Sequence, residues 1–396
     1  MIPRLKPDLS LADLAALWPG GTRAGNVARF EKAFAELAGQ RHAIAFPYGR
    51  TAQIAILRAL GQPDREVICP SYTCVVVAHA IVKAGMKPVF VDSDPADFNM
   101  DWKHVEQAVG PDTAAVIATS IFGHPVTGPG FRAFRDAHPE VTVLQDCAHS
   151  FFAGDAHREG LAAFYGLNIS KLITSIFGGM VTTDDDAFAA KVRNAGDEMT
   201  TPEGIWREIR RALYLIASMI ALSRSVYGMV NRLERMSLLD RFVKYYDPSI
   251  IDLPADAFSA MGSLEARVGI RQCARYDGMV RHRLALADLY HAGLQGMGDL
   301  ILPPRHPGMT VSHFVIRTGN ADRIKERCLK HGIQLGELID YDIASMPSYR
   351  EAPYFGERLS RAFPAQVINL PVHRGVSERD AERIVAAVAE VFGETP

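Results

Sequence analysis

The amino-acid sequence predicts an α/β protein with a large, mostly parallel sheet followed by a smaller C-terminal α/β domain. The first observation is length, because 396 residues exceed what one compact domain usually holds. The second is a regular alternation of short apolar runs with helical patterns from about residue 43 to residue 184, which is typical of a parallel sheet covered by helices. The third is a separate set of helical and strand patterns in the last third of the chain. We place the domain division between 1–250 and 251–396.

Seven apolar runs of the first domain are predicted strands, and several have the continuous apolar character of strands buried on both faces. They are AIAF, EVICP, KPVFVD, AAVIATSIFG, VTVLQD, LAAFYGLN and GGMVTT, which begin at residues 43, 66, 87, 114, 141, 161 and 178. Helical patterns such as TAQIAILRAL and WKHVEQAV lie between some of them. In such sheets ligands bind outside the carboxyl ends of the strands, so the residues at these ends are the candidates for function.

The C-terminal domain is predicted from a long helical pattern after DLPADAFSAMG, strands in VSHFVIRTG and QVINLPVH, and a closing helix ERDAERIVAAVAEVF. An apolar and basic helical insert, about 204–245, precedes it.

The composition is that of a globular protein, with 48% hydrophobic and 22% charged residues. The formal net charge is -2, which argues against a nucleic-acid-binding protein because such proteins carry a basic patch or stripe. The five cysteines are scattered without a CxxC spacing, so we expect neither a metal site nor a disulfide framework. The first residues contain no apolar segment typical of a secretory signal, so we expect a cytoplasmic protein.

The turn PYGRTA, residues 47–52, leads from the first predicted strand into a helix. Gly49 gives the turn its conformational freedom, and Arg50 and Thr51 open the helix, where free N–H groups and the helix dipole favour an anion such as phosphate. An ordinary helix N-cap at Thr51 is the alternative.

The segment LQDCAHS, residues 144–150, ends a strongly apolar strand with Asp146. A carboxylate is costly there unless it is paired, and a pyridinium N–H would be such a partner. Nearby backbone amides are the alternative partner. His149 follows one helical turn later as either a catalytic group or a structural hydrogen-bonding residue.

The stretch FYGLNISKLITSIFGGMVTTDD places one lysine, Lys171, in an apolar and β-rich setting. Burying an unpaired ammonium is so costly that the amine usually loses its proton, so we interpret Lys171 as an amine used for chemistry. In PSYTCVVVAHA another predicted strand gives way to a helix, and Cys74 or Tyr72 would cover a flat ring there. Core packing is the alternative for Cys74.

An anion cradle, a buried carboxylate and an amine at the carboxyl ends of one sheet are together the parts that hold pyridoxal phosphate. The amine forms a Schiff base with this cofactor, the carboxylate keeps the ring nitrogen protonated, and the helix N-terminus holds the phosphate.

With these parts in place, the sequence resembles the DegT/StrS family of pyridoxal-phosphate-dependent sugar aminotransferases, which have the aspartate aminotransferase-like (type I) fold. The resemblance covers nearly the whole chain, and the run from QDCAHS to GGMVTTDD is its specific part. The matching segments are RFEKAFAELAGQRHAIAF, GRTA, REVICPSYTC, KPVFVDSDPADFNMD, FGHP, QDCAHS, NISK, FGGMVTTDD and INLPVHRGVS.

The resemblance implies that Lys171 carries the cofactor, Asp146 pairs with its ring nitrogen and His149 lies beside the ring. It makes these three the expected catalytic residues. The residues expected to contact the cofactor are Gly49, Arg50, Thr51, Cys74, Asp146, His149, Asn168 and Lys171.

Three departures from the family pattern bear on the site. The family usually has a serine five residues before the lysine, for the phosphate, and here Gly166 stands there. An aromatic residue commonly covers the ring where this chain has Cys74. An Asn-x-Arg segment given by a neighbouring subunit should precede the long helix, but this chain reads LPADAFSAMGSLEA, which puts nucleotide-sugar recognition in doubt.

The predicted activity is transfer of an amino group from an amino acid, L-glutamate by resemblance, to a nucleotide-linked keto sugar in polysaccharide or secondary-metabolite biosynthesis. The resemblance also implies a homodimer. The alternatives are a cofactor-binding regulatory or scaffold protein without turnover, and an enzyme acting on a substrate that is not a nucleotide sugar, such as a lipid-linked one.

The segment RRALYLIASMIALSRSVYGMVNRL, residues 210–233, is not explained by the resemblance. Arg224 interrupts its apolar run, and an arginine near the centre of a membrane span is costly, so we reject a transmembrane helix. One interpretation is a helix buried against its own chain or a partner subunit. The other is a peripheral contact with an anionic membrane, favoured by seven basic residues around the run: Arg207, Arg210, Arg211, Arg232, Arg235, Arg241 and Lys244.

Overall fold

A computed structural model describes residues 1–18, 20–202, 204–236, 238 and 247–393. Its main feature is an eight-stranded sheet with the strand order β1-β7-β6-β5-β4-β2-β3-β9. The strands are β1 (His42–Phe46), β2 (Glu66–Pro70), β3 (Lys87–Val91), β4 (Thr113–Thr119), β5 (Thr142–Asp146), β6 (Ala162–Gly166), β7 (Gly179–Thr183) and β9 (Tyr354–Phe355). The first seven confirm the seven strands that the sequence predicts.

The sheet is mostly parallel, and β7 alone among these strands runs antiparallel to its neighbours β1 and β6. Every residue of β4 is buried, as expected for a central strand covered by helices on both faces. Burial on both faces explains why such strands are continuous apolar runs in the sequence.

Helices cover the sheet and build the rest of the molecule. They are α1 (Arg23–Ala38), α2 (Gly49–Ala59), α3 (Val76–Lys83), α4 (Trp102–Ala108), α5 (Pro129–Ala137), α6 (Asp186–Met199), α7 (Ile205–Ala221), α8 (Tyr227–Arg235), α9 (Ser263–Cys273), α10 (Tyr276–Leu294), α11 (Ala321–Lys330), α12 (Phe363–Gln366) and α13 (Glu378–Phe392). Short 3-10 helices span Leu11–Leu17, Ile121–Gly123, Ala153–Arg158, Ile343–Ser345, Pro347–Tyr349 and Leu359–Ala362. The long helical pattern predicted after DLPADAFSAMG is thus two helices, α9 and α10, because the chain turns at Ala274 and Arg275.

A two-stranded antiparallel sheet of β8 (Phe314–Arg317) and β10 (Val367–Leu370) confirms the two strands predicted in the last third of the chain. It packs with α10, α11 and α13 around a second hydrophobic core that includes Phe314, Ile324 and Val388. The predicted closing helix is α13.

Residues of the C-terminal third of the chain contribute to both hydrophobic cores. Strand β9 pairs with β3 at the edge of the large sheet, and residues such as Ile339 and Phe363 belong to the core of that sheet. At the other end of the chain, Ile2 belongs to the second core. The division at residue 250 therefore stays a prediction, and segments from both sides of it contribute to each core.

The insert predicted at about 204–245 forms α7 and α8, which are separated by a turn at 222–226. No helix among the described residues is long and apolar enough to cross a membrane. Arg241 and Lys244, two of the basic residues around the insert, lie outside the described residues.

Candidate active site

The candidate site lies where three neighbouring parallel strands end. In the register of the sheet, Asp146 at the end of β5 is paired with Thr119 of β4 and with Phe164 of β6. The carboxyl ends of parallel strands meet at the same edge of the sheet, so side chains from separate parts of the chain converge there.

Asp146 is 4% exposed and has few partners for its charge. Its Oδ1 accepts a hydrogen bond from the backbone N–H of Ala148 at 3.0 Å, and its Oδ2 accepts a long one, 3.4 Å, from the hydroxyl of Thr119. Burial raises the pKa of this carboxyl, although the Ala148 N–H and the charge of Lys171 oppose the shift. A further N–H donor or cation beside Oδ2 would therefore stabilise the ionised form.

Lys171 lies in the turn that follows β6, and Asn168 shapes that turn. The carbonyl of Asn168 accepts from the Lys171 N–H at 3.0 Å, and its side-chain Oδ1 accepts from the backbone N–H and hydroxyl of Ser170 at 3.0 and 2.6 Å. Asn168, predicted as a cofactor contact, thus has its amide oxygen engaged within the turn. Its hydrogen bonds hold the turn that carries the lysine.

The amine of Lys171 loses its proton more easily than an exposed lysine does, as the sequence predicts. Burial lowers its pKa, with Cys74 and Asp146 opposing the shift. Among the described residues, none accepts a hydrogen bond from Nζ or forms an ion pair with it. A lysine with a lowered pKa and an uncommitted amine is a nucleophile.

The N-terminus of α2 lies against the end of β6. An ideal Cβ on Gly49 would lie only 2.8 Å from the Cα of Gly166, so glycine is required at position 49 by this close approach. A Cβ on Gly166 would meet the Cε of Lys171 at 3.6 Å, which is ordinary contact. The start of α2, Gly166 and Lys171 are therefore neighbours.

The two polar residues predicted beside Gly49 have different environments. Thr51 is fully buried and its hydroxyl donates to the carbonyl of Ala257 at 2.7 Å, so this side chain ties two segments together. Arg50 is partly exposed. Burial lowers the pKa of His79 on α3, and the charge of the nearby Arg50 adds to the shift. The described residues offer no carboxylate within ion-pair distance of the Arg50 guanidinium, which leaves it available to an anion.

His149 lies above the strand ends between an aromatic ring and a second histidine. Its ring stacks on Phe122 with centroids 5.9 Å apart, and its Nδ1 is 3.5 Å from the Phe122 N–H. The ring of His313 is 5.0 Å away. Burial lowers the pKa of His149 well below its ordinary value, and the nearby Lys171 and His313 add to the shift, so the imidazole is neutral.

Sequence reasoning did not select His313, which comes from the segment before β8. Its position directly before a predicted strand in VSHFVIRTG is the only sequence signal for it. Its N–H donates to the carbonyl of Phe122 at 3.3 Å, so the C-terminal domain contacts the site through this residue.

Of the two candidates for covering a flat ring, Cys74 is the available one. Cys74 is partly exposed and is close enough to the Lys171 amine to influence its pKa. Tyr72 is completely buried among Phe98, Phe122 and Phe363, so it packs the core.

The insert reaches the site through Arg211. The sequence analysis counted Arg207 and Arg211 among the basic residues for a membrane contact, but both are buried, so they face the protein instead. Arg211 of α7 donates to the hydroxyl of Tyr48, the N-cap residue of α2, at 2.7 Å and to Asp256 at 2.7 Å. Its guanidinium lies 3.8 Å from the ring centre of Phe177. The segment that lacks the expected Asn and Arg is held by Arg207, which donates to the carbonyl of Ala260 at 3.2 Å.

The structure therefore brings together Lys171, Asp146, His149, Cys74 and the Gly49–Arg50 turn, all of which the sequence predicts. It offers a nucleophilic amine, a buried carboxylate in need of a cationic partner, a neutral imidazole and an unpaired guanidinium at a helix N-terminus. Such a set can bind a planar, phosphate-bearing aldehyde with a protonated ring nitrogen and move protons beside it.

Three comparisons with known proteins agree with this chemistry. Residues 18–389 match the model of the DegT/DnrJ/EryC1/StrS aminotransferase family. The chain is 27% identical over 380 residues to the GDP-perosamine synthase of Caulobacter vibrioides, covering 92% of this chain and 90% of that protein. It is 25% identical over 388 residues to the spore coat polysaccharide biosynthesis protein SpsC of Bacillus subtilis, covering 92% and 89%.

A solved structure shows the same fold. The Helicobacter pylori aminotransferase PseC, involved in pseudoaminic acid biosynthesis, superposes with a TM-score of 0.77 at 17% identity over 99% of both chains. The predicted type I transferase fold is thereby confirmed.

Proposed function

The chain belongs to the DegT/DnrJ/EryC1/StrS aminotransferase family, and from this we propose that it is a pyridoxal-phosphate-dependent aminotransferase that aminates a keto sugar. The observation that carries the proposal is the Lys171 amine beside the buried Asp146, at the carboxyl ends of β5 and β6. Family membership supports the amino transfer, and the site residues support the cofactor.

The residues present fit pyridoxal phosphate. Lys171 Nζ is the group that would join the cofactor aldehyde, and Asp146 Oδ2, with only a 3.4 Å contact to Thr119, would accept from the ring N–H. The backbone N–H groups of Gly49 and Arg50, at the start of α2, and the guanidinium of Arg50 would hold the phosphate. The close approach of Gly49 to Gly166 supports this placement, because it brings the helix start next to the lysine turn.

When bound, the cofactor supplies an electron sink that stabilises negative charge on the carbon that loses a proton. The chain supplies the rest. The Lys171 amine takes the proton from the α-carbon of the amino donor and returns it to the product, a role that a lowered pKa suits near neutral pH. Asp146, as a carboxylate, would keep the proton on the ring nitrogen. His149, as a neutral imidazole, would lie beside the ring.

For the substrates, we propose L-glutamate as the donor and a nucleotide-linked keto sugar as the acceptor, in polysaccharide biosynthesis. The relatives named for GDP-perosamine and for spore coat polysaccharide support the sugar class. We also propose a cytoplasmic homodimer, as the family resemblance implies. Sedimentation of the purified protein measures the oligomeric state directly.

The test is cofactor trapping combined with turnover. The purified protein, incubated with pyridoxal phosphate and reduced with borohydride, is expected to carry one phosphopyridoxyl group on the peptide that contains Lys171. Its yellow absorbance is expected to bleach with L-glutamate, with release of 2-oxoglutarate, and keto nucleotide sugars are expected to restore the colour.

Matched variants make the outcome decisive. Lys171→Ala should abolish trapping, whereas Lys191→Ala, which removes an exposed lysine of α6, should not. Trapping on another lysine would refute the site. Trapping on Lys171 without bleaching by any amino donor would instead favour a cofactor-binding protein without turnover.

A further inference from the structure

Helix α7 carries an apolar stripe on the side that faces solvent. The six side chains of the stripe are between 37% and 75% exposed, and they are Ile205, Trp206, Ile209, Leu213, Ile216 and Ile220. At about 100° per residue they fall within one arc of about 100°, and they extend over roughly 22 Å of helix. Isolated exposed apolar residues are common, but a continuous apolar stripe marks an interaction surface.

The opposite side of α7 is fixed to the protein by charged groups. Arg207 and Arg211 are buried on that side, where they pair with Glu265 and Asp256 at 3.2 and 2.7 Å. The helix thus has two arginines turned inward and its isoleucines turned outward, which reverses the usual preference. Because these ion pairs fix the orientation of α7, the stripe cannot turn inward to be covered by the same chain.

The exposed charged side chains of α7 and α8 are all basic. The acidic side chains in residues 204–236 are both engaged: Glu208 accepts from the Leu264 N–H at 2.9 Å, and Glu234 pairs with Arg4 at 2.6 Å. Three exposed basic residues have no ion-pair partner in the part of the chain that the structure describes, and they are Arg210, Arg232 and Arg235.

Helix α8 combines the same two features. Its exposed side chains include Met229, Arg232 and Arg235, with Met236 directly after the helix, so two methionines and two arginines share its outer face. Flexible apolar side chains interspersed with arginines suit the boundary between lipid head groups and acyl chains.

We propose that α7 and α8 dock on the surface of an anionic lipid bilayer. The apolar stripe enters the boundary between head groups and acyl chains, while Arg210, Arg232 and Arg235 contact lipid phosphates. A second copy of the chain fits this surface less well. A two-fold contact through the stripe would bring the same unpaired arginines together, with no free acidic side chain of the segment to neutralise them.

Docking would also determine where the candidate active site lies relative to the membrane surface. The inward face of α7 contacts the N-cap residue of α2 through the Arg211–Tyr48 hydrogen bond. The start of α2 is therefore separated from the lipid surface by α7 and the Tyr48 side chain that Arg211 contacts. This arrangement holds whatever reaction the site performs.

The experiment is flotation of the purified full-length protein with vesicles of phosphatidylcholine, alone or mixed with phosphatidylglycerol. The protein is expected to float only with the mixed vesicles at low salt, and high salt should release it in part. Changing Arg210, Arg232 and Arg235 together to Gln should weaken binding roughly a hundredfold, at about fivefold per charge. The control set removes three exposed arginines elsewhere, Arg29, Arg350 and Arg379, and should bind like the wild type.

A second pair of variants tests the stripe. The double variant Trp206→Ser and Leu213→Ser should reduce binding by at least about tenfold, because both side chains lose their burial in lipid. The control Ile301→Ser with Leu359→Ser removes two exposed apolar residues outside the insert and should have no effect. Circular dichroism checks that each variant is folded.

Three results overturn the proposal. One is wild-type protein that stays at the bottom of the gradient with phosphatidylglycerol vesicles at low salt. Another is equal weakening by the variant and control sets, which would indicate nonspecific adsorption. The third is a stripe variant that changes a dimer into a monomer while vesicle binding is absent, which would assign the stripe to a second copy of the chain.

Discussion

Replacing Gly166 by Ser is expected to tighten cofactor binding. An ideal Cβ at this position lies 3.6 Å from the Lys171 Cε and 3.7 Å from the Ala148 Cβ, so a side chain fits without displacing a neighbour. Gly166 also touches Gly49 at the start of α2, where we place the phosphate. A serine hydroxyl there gains one hydrogen bond to a charged group, worth about 1.5–3 kcal/mol, or about tenfold to a hundredfold in Kd.

The assay is equilibrium dialysis of the apoprotein against pyridoxal phosphate and, separately, against pyridoxal. The serine should improve binding of the phosphate-bearing ligand and leave pyridoxal unchanged, because the gain belongs to the phosphate. Equal improvement for both ligands, or weaker binding of pyridoxal phosphate, would refute the placement of the phosphate at the start of α2.

The matched control is Gly49→Ala, at the other side of the same contact. Its Cβ would lie 2.8 Å from the Gly166 Cα and 3.2 Å from the Tyr165 carbonyl oxygen, and these backbone atoms cannot rotate away. We expect a loss of about 1–3 kcal/mol in stability, as in overpacked cores, and weaker binding of the cofactor. A fully stable Gly49→Ala variant would show that the two segments are further apart.

Further predictions concern the amine, the carboxylate and the insert. Lys171→Ala should remove turnover and borohydride trapping. The thermal unfolding midpoint of the apoprotein should stay unchanged or rise, because the variant no longer buries an amine whose pKa burial lowers. Asp146→Asn should lower the pKa of Lys171 further, because a negative charge that opposes the shift is gone. The pH dependence of Lys171 labelling by an amine-reactive reagent measures this, and a raised pKa would contradict the influence of Asp146 on the amine. Burial raises the pKa of Asp380, but Arg224 and Ser377 outweigh it and lower the value to about 2. The stabilisation from this pair is present above the unfolded pKa near 3.8 and is lost as the pH falls towards 2. Arg224→Gln should therefore lower the unfolding midpoint at pH 7 and have little effect at pH 2, and an equal effect at both would exclude the ion pair as its cause.

The strands and the chemical groups at their ends could be predicted from local sequence. A parallel strand buried on both faces needs a continuous apolar run, so the seven runs are also the seven strands. A carboxylate at the end of such a run, like Asp146, or an amine in an apolar turn, like Lys171, is costly enough to be recognised without knowledge of its neighbours. The turn at Gly49 is similarly local, because a strand passes into a helix within a few residues.

The tertiary structure decided which distant residues complete the site and which face of the insert is exposed. His313 meets His149 across more than 160 positions of sequence, and Arg211 meets Tyr48 across 163. Pairings at such separations leave no periodic signal, because each residue is compatible with many neighbours until the chain is folded. The apolar circumference of α7 suggested burial in the sequence. The ion pairs of Arg207 and Arg211 with Glu265 and Asp256, together with the burial of Leu215, turn its isoleucines outward, because they fix the rotation of the helix about its own axis.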